Sequence, residues 1–127
     1  MLILCIALGG ALGAVARYTL GSWIHSWAGS GFPWGTFAIN AIGSLLIGLS
    51  LHYLDATDAA PELRALVTVG LLGAFTTFST FTYEAIVLLQ EGAWVRAAAY
   101  TLGSLTIGLL AAGGGLYIGG RLLQPAM

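Results

Sequence analysis

The chain has 127 residues, 58% of them apolar and only 7% charged, with a net charge of −1. A soluble domain carries roughly 25% charged residues, so four basic and five acidic side chains are too few to cover a globular surface in water. Lipid is the solvent that suits such a surface, and no basic patch is present to hold nucleic acid.

The first apolar stretch runs over about 2–27. Ala14-Val15-Ala16 has the small-x-small look of a leader cleavage site. However, no basic stretch precedes it and the apolar pattern continues to Trp27, so a first membrane helix is expected. The lone cysteine, Cys5, excludes an internal disulfide and reads as a small apolar residue. Gly29-Ser30-Gly31-Phe32-Pro33 then forms a turn, Asp55 to Pro61 a second, and Gln90-Glu91-Gly92 a third. These breakers leave segments of about 34–54, 62–90 and 94–123. A span needs about 20 apolar residues, so all four segments are long enough. The whole chain is expected to be one all-α transmembrane domain of four antiparallel neighbours with no soluble part.

The second segment places Thr36, Asn40 and Ser44 four apart, on one helical face. An unpaired amide in hydrocarbon costs several kcal/mol, so Asn40 either bonds a neighbouring helix or offers its NH₂ to an anion. The third segment is too long for a simple crossing, roughly 43 Å against a hydrocarbon core of about 30 Å. Its middle, Gly70 to Thr82, has two glycines followed by Thr76-Thr77-Phe78-Ser79-Thr80-Phe81-Thr82. Irregular backbone at that depth must be buried in protein or line a cavity, and transporters place ion sites at such breaks. The alternative is an intact helix whose hydroxyls bond back to their own carbonyls. Phe78 and Phe81, three apart, nearly share a face, and the positive ring edges of phenylalanine can stabilise a small anion.

The fourth segment carries Tyr100 and Ser104 in one row, with Gly108 next, as a hydroxyl ladder or as interhelical bonding. Gly9 with Gly13, and Ala111 with Gly115 and Gly119, read as close-packing positions. Glu84 is either a structural hydrogen-bond partner or part of an ion path, and Arg17 either snorkels or draws anions into a vestibule. His25 and His52 read as interfacial. Metal-ligand spacing, nucleophile–base pairs and phosphate loops are absent, so an enzyme reading has no residue to stand on. The four arginines, 17, 64, 96 and 121, divide two and two between the sides, which gives no orientation and suggests insertion both ways. Trp23, Trp27, Trp34 and Trp94 all fall on one side.

Together these stretches resemble the Fluc (CrcB) family of fluoride channels. The residues that carry the likeness are Gly9-Gly10-Ala11-Leu12-Gly13-Ala14 with Arg17-Tyr18, Pro33-Trp34-Gly35-Thr36 with Asn40, and Gly70 to Phe81 with Glu84 beyond. The resemblance implies a passive, fluoride-selective channel of the bacterial inner membrane that confers fluoride resistance. It implies an antiparallel, dual-topology homodimer with two pores and a third helix broken near the midplane. Phe78 and Phe81 would line each pore, with Asn40, Tyr100 and Ser104 donating and Thr36, Thr77, Thr80 and Glu84 beside them. A structural Na⁺ would sit at the dimer centre on the backbone carbonyls of Gly73 and Thr76. Gly108 departs from the pattern, since a serine often stands there, and either water or a neighbouring threonine such as Thr106 replaces its hydroxyl or the pore has one rung fewer. Two rivals are a small dual-topology multidrug exporter, which would want a carboxylate in the first segment, and a structural membrane subunit.

Overall fold

A computed structural model describes residues 1–123. Four stretches are long and apolar enough to cross a membrane: Leu2–Ala28, Trp34–Ala56, Pro61–Gln90 and Trp94–Leu122. The first is helix α1 (Leu2–Ala28) and the second α2 (Trp34–Ala56). The third comprises α3 (Pro61–Arg64), a π-helical run over Ala65–Leu72, α4 (Gly73–Phe75) and α5 (Phe78–Gln90). The last is α6 (Trp94–Leu123). Their starts and stops follow local chemistry. Gly29 and Gly92 adopt positive φ (85° and 73°) where the chain leaves α1 and α5, a conformation that costs glycine little. Pro61 opens α3 at a position whose N–H has no helical partner in any case.

In lipid no hydrophobic force drives helix on helix, so close backbone contact must hold the bundle together. Glycine supplies it. A Cβ on Gly9 or Gly13 would collide with the backbone of Leu66 or Leu71, and one on Gly70 would meet the Ile6 carbonyl oxygen at 2.7 Å. A Cβ on Gly48 would strike the Ala112 carbonyl, and one on Gly115 that of Leu45. The same contacts give the register. Residues 9 and 13 face 66–75 in increasing order, and 37, 44, 48 and 52 face 103, 108, 115 and 119. Alternate spans therefore run parallel, while Gly35 packed on Gly21 brings α2 back antiparallel to α1.

The third span changes partners along its length. Its π-helical part and α4 pack on α1, α5 packs on α6, and α2 touches all three pieces. The change occurs at Thr76 and Thr77, whose ψ values of 157° and 119° are extended and not helical. Gly43 of α2 makes room for this crossing, since a Cβ there would collide with Thr76 Cγ2 and lie 3.3 Å from the Phe75 ring. On the loop side, Arg96 Nη1 donates to the Gly31 carbonyl at 2.7 Å and joins the first loop to the start of α6. At the other end Arg64 bonds Asp55 Oδ1 (2.6 Å) and the Leu54 carbonyl (3.2 Å). The outward faces are apolar and exposed, including Leu8, Leu12, Val95, Leu109 and Leu110, as lipid contact requires.

Candidate functional site

Extended backbone inside a membrane leaves N–H and C=O groups that must find partners within the protein. Asn40, on α2, meets that demand at Thr77. Its Nδ2 donates to the Thr77 carbonyl at 2.9 Å, and the Thr77 N–H donates to its Oδ1 at 2.8 Å. The Asn40 amide is thus partly committed to backbone, with one N–H left over. Thr77 Oγ1 accepts from the Thr80 N–H at 3.2 Å and caps α5, while donating to Thr80 Oγ1 at 3.0 Å. Arg17 Nη1, reaching from α1, donates to the Thr76 carbonyl at 3.4 Å. Other hydroxyls of this span bond back to their own helix, as Thr68 does to Arg64, Thr76 to Leu72 and Thr82 to Ser79.

Nearly two turns into α5 lies a second polar group. Glu84 Oε1 accepts from Thr36 Oγ1 (2.9 Å), and Oε2 accepts from Tyr100 Oη (2.6 Å). The carboxylate therefore ties α2, α5 and α6 together at membrane depth. Tyr100 is fully buried, its ring 5.1 Å from that of Phe81 and 5.4 Å from that of Phe32. Four residues on, Ser104 Oγ is buried and has no hydrogen-bond partner, so a donor stands free in the α6 row. Phe78 and Phe81 have ring centroids 5.7 Å apart. Phe81 packs against Tyr100, whereas Phe78 is 77% exposed on this single chain.

Two hollows flank this region. A groove of about 720 Å³ between α1, α2 and α5 opens toward the first and third loops and is bordered by Arg17, His25, Thr36, Thr80 and Glu84. A cavity of about 390 Å³ lies beyond it and is bordered by Asn40, Ser44, Gly73, Thr76 and Phe78. Thr77 borders both. Of the candidates read from the sequence, Arg17, Thr36, Thr77, Thr80 and Glu84 border the groove and Asn40, Gly73, Thr76, Thr77 and Phe78 the cavity, whereas Phe81, Tyr100 and Ser104 border neither. Thr106 is exposed on α6, and the neighbour at Gly108 is Ser44, whose Oγ lies 3.5 Å from where a Cβ would stand. This proximity of α2 was not foreseeable from spacing within α6 alone.

Among the described residues no group of three His, Cys, Asp or Glu side chains can hold a metal, so a cation here would rest on carbonyl oxygens. The Gly73 carbonyl suits one, because the amide that would close its helical bond, that of Thr77, donates to Asn40 instead. The Thr76 carbonyl suits one less well, since a guanidinium already leans on it.

A sequence profile described as CrcB-like protein, Camphor Resistance (CrcB), matches residues 4–116. The chain belongs to the CrcB family. That match includes Arg17, Asn40, the Thr76–Phe81 run, Glu84, Tyr100 and Ser104. Among CrcB relatives, a protein of Acidobacterium capsulatum is 49% identical over 124 residues, covering 97% of this chain and 99% of its own. One from Thermus thermophilus is 48% identical over 94% of each chain. Another from Magnetococcus marinus is 48% identical over 94% of this chain and 98% of its own. All three carry the name fluoride-specific ion channel FluC. The CrcB chain is a multi-pass membrane protein, and its relatives are named as channels, not as enzymes.

Proposed function

We propose that this chain is one subunit of a fluoride-selective passive channel that lets fluoride leave the cytoplasm across the bacterial inner membrane. The observation that carries the reading is membership of CrcB, with relatives named as fluoride-specific channels at nearly half identity over nearly the full length. The chemistry of the site supports it. Fluoride is small and strongly hydrated, so a selective path must replace its water with hydrogen-bond donors while staying too narrow for larger halides. Neutral hydroxyls and ring edges do this without a fixed cation that would trap the ion.

In this reading the groove bordered by Arg17 is the anion vestibule, and Thr36, Thr77, Thr80 and Glu84 line its floor. Ser104 offers its unpaired hydroxyl, Tyr100 the hydroxyl it otherwise gives to Glu84, and Asn40 its remaining N–H. Phe78 and Phe81 form one wall of the narrow part. The large exposure of Phe78 on a single chain supports a wall completed by a second copy. We place that copy antiparallel, as the even split of arginines between the two sides favours, which gives two pores. The interruption at Thr76–Thr77 is then the midplane break, and a structural Na⁺ would rest on the Gly73 and Thr76 carbonyls of both copies. Two carbonyls are too few for a hard cation, so that site needs the dimer. When bound, the ion would supply only positive charge and cross-linking at the subunit junction.

Fluoride entering as neutral HF is trapped as the anion at cytoplasmic pH, and the membrane potential drives it out through a passive leak. Expression in a fluoride-sensitive bacterial strain tests the assignment. Restored growth in fluoride, with no gain against lipophilic cations, is the expected result. Protection against lipophilic cations alone would overturn it in favour of an exporter, and protection against neither in favour of a structural subunit.

A further inference from the structure

We infer that Asn40 is a positioning residue for the pore, and that it acts through the Thr77 peptide before any contact with the ion. The inference rests on the channel reading above and concerns how its narrow part is held in shape.

The geometry is specific. A side-chain amide and a single residue exchange both of their hydrogen bonds, at 2.9 and 2.8 Å, just as two paired strand residues would. Thr77 is 8% exposed and lies where the third span passes from its packing on α1 to its packing on α6. Without Asn40 the Thr77 N–H would lose its partner, while the Thr77 C=O, at the N-cap of α5, would keep the first bond of that helix. The simplest escape for that N–H is to recover a helical bond to the Gly73 carbonyl, which requires Thr76 to leave its extended conformation (φ −81°, ψ 157°) and turns the Thr76–Thr77 peptide.

Such a change propagates to the next residues. Thr77 Oγ1 caps α5 through Thr80 N, and the Thr77 ψ angle sets the direction in which Phe78 begins that helix. Rotation of this peptide would uncap α5 and displace the Phe78 and Phe81 rings together. It would also return the Thr77 N–H toward Gly73, closing the carbonyl that the Asn40 bond leaves open. One amide on α2 therefore governs the cap, the ring positions and the free carbonyl.

Thr76–Thr77 is the only Thr-Thr pair in the chain, which makes the test clean. Protein labelled with ¹³C-carbonyl, ¹⁵N threonine has one carbonyl–nitrogen bond carrying both labels, so an HNCO spectrum of the micelle-embedded protein shows one peak, the Thr77 amide. In the parent this amide should be protected from exchange. In Asn40→Ala its exchange should rise at least about tenfold, as loss of a buried partner implies, and fluoride efflux from liposomes should fall in parallel. Asn40→Ser, too short to bridge both groups, carries the same expectation should the alanine variant fail to assemble. Efflux lost while the Thr77 amide keeps its shift and protection would overturn the inference and assign Asn40 to the ion directly. Efflux retained, whether or not the amide changes, would overturn it as well. Absence of fluoride efflux in the parent would count against the channel reading, and the amide comparison would still report whether the Asn40–Thr77 exchange exists.

Discussion

Replacing Tyr100 by phenylalanine removes one oxygen and leaves the packing of a fully buried ring intact, which isolates a single hydrogen bond. That bond, 2.6 Å from Tyr100 Oη to Glu84 Oε2, ends on a carboxyl group that has one other donor, Thr36. Leaving a buried hydrogen-bonding group short of a partner costs about 1–3 kcal/mol, so Tyr100→Phe should destabilise the fold by that amount, roughly 5- to 150-fold in the folding equilibrium. A double-mutant cycle with Glu84→Gln makes the test sharper. Groups in direct contact couple, whereas independent sites add to within about 0.5 kcal/mol. We expect a coupling of at least about 1 kcal/mol, measured by unfolding of the purified protein in detergent. Fluoride efflux should decline in each single variant, because the same bond joins α5 to α6 beside Phe81. Additive effects within about 0.5 kcal/mol would refute the reasoning, since they would mean that the two groups do not share a bond.

Other consequences are simpler. Gly115→Val forces a branched side chain onto the Leu45 carbonyl across the α2–α6 contact. Because backbone cannot yield as a side chain does, a loss of about 1–3 kcal/mol or more in thermal stability is expected. Phe78→Ile and Phe81→Ile should each lower fluoride efflux while the protein elutes from size-exclusion chromatography as the parent does, and unchanged efflux in both would remove the ring-edge role. Asp55→Asn breaks an exposed ion pair with Arg64 (side chains 68% and 38% exposed). It should cost no more than about 1 kcal/mol in the same unfolding assay.

Composition carried the membrane assignment, because four apolar stretches separated by glycine, proline and charge leave few other arrangements. The close-packing glycines were legible too, since Gly9, Gly13, Gly115 and Gly119 stand at helical spacing and each faces a neighbouring helix. What the sequence could not supply was which polar group meets which. Asn40 and Thr77 are 37 positions apart, and Thr36 and Glu84 are 48 apart. Such pairs depend on the register between helices, which a periodicity within one helix does not contain. For the same reason the proximity of Ser44 on α2 to Gly108 is not contained in the spacing of α6. The back-bonding of Thr76 and Thr82 illustrates the converse, since the local pattern existed alongside the extended residues and did not replace them.

Efflux from liposomes loaded with the purified protein, comparing a fluoride gradient with a chloride gradient, tests the central claim most directly. The account predicts rapid loss of fluoride with chloride retained. Equal loss of both ions, or silence for both from protein shown to be folded, would contradict it.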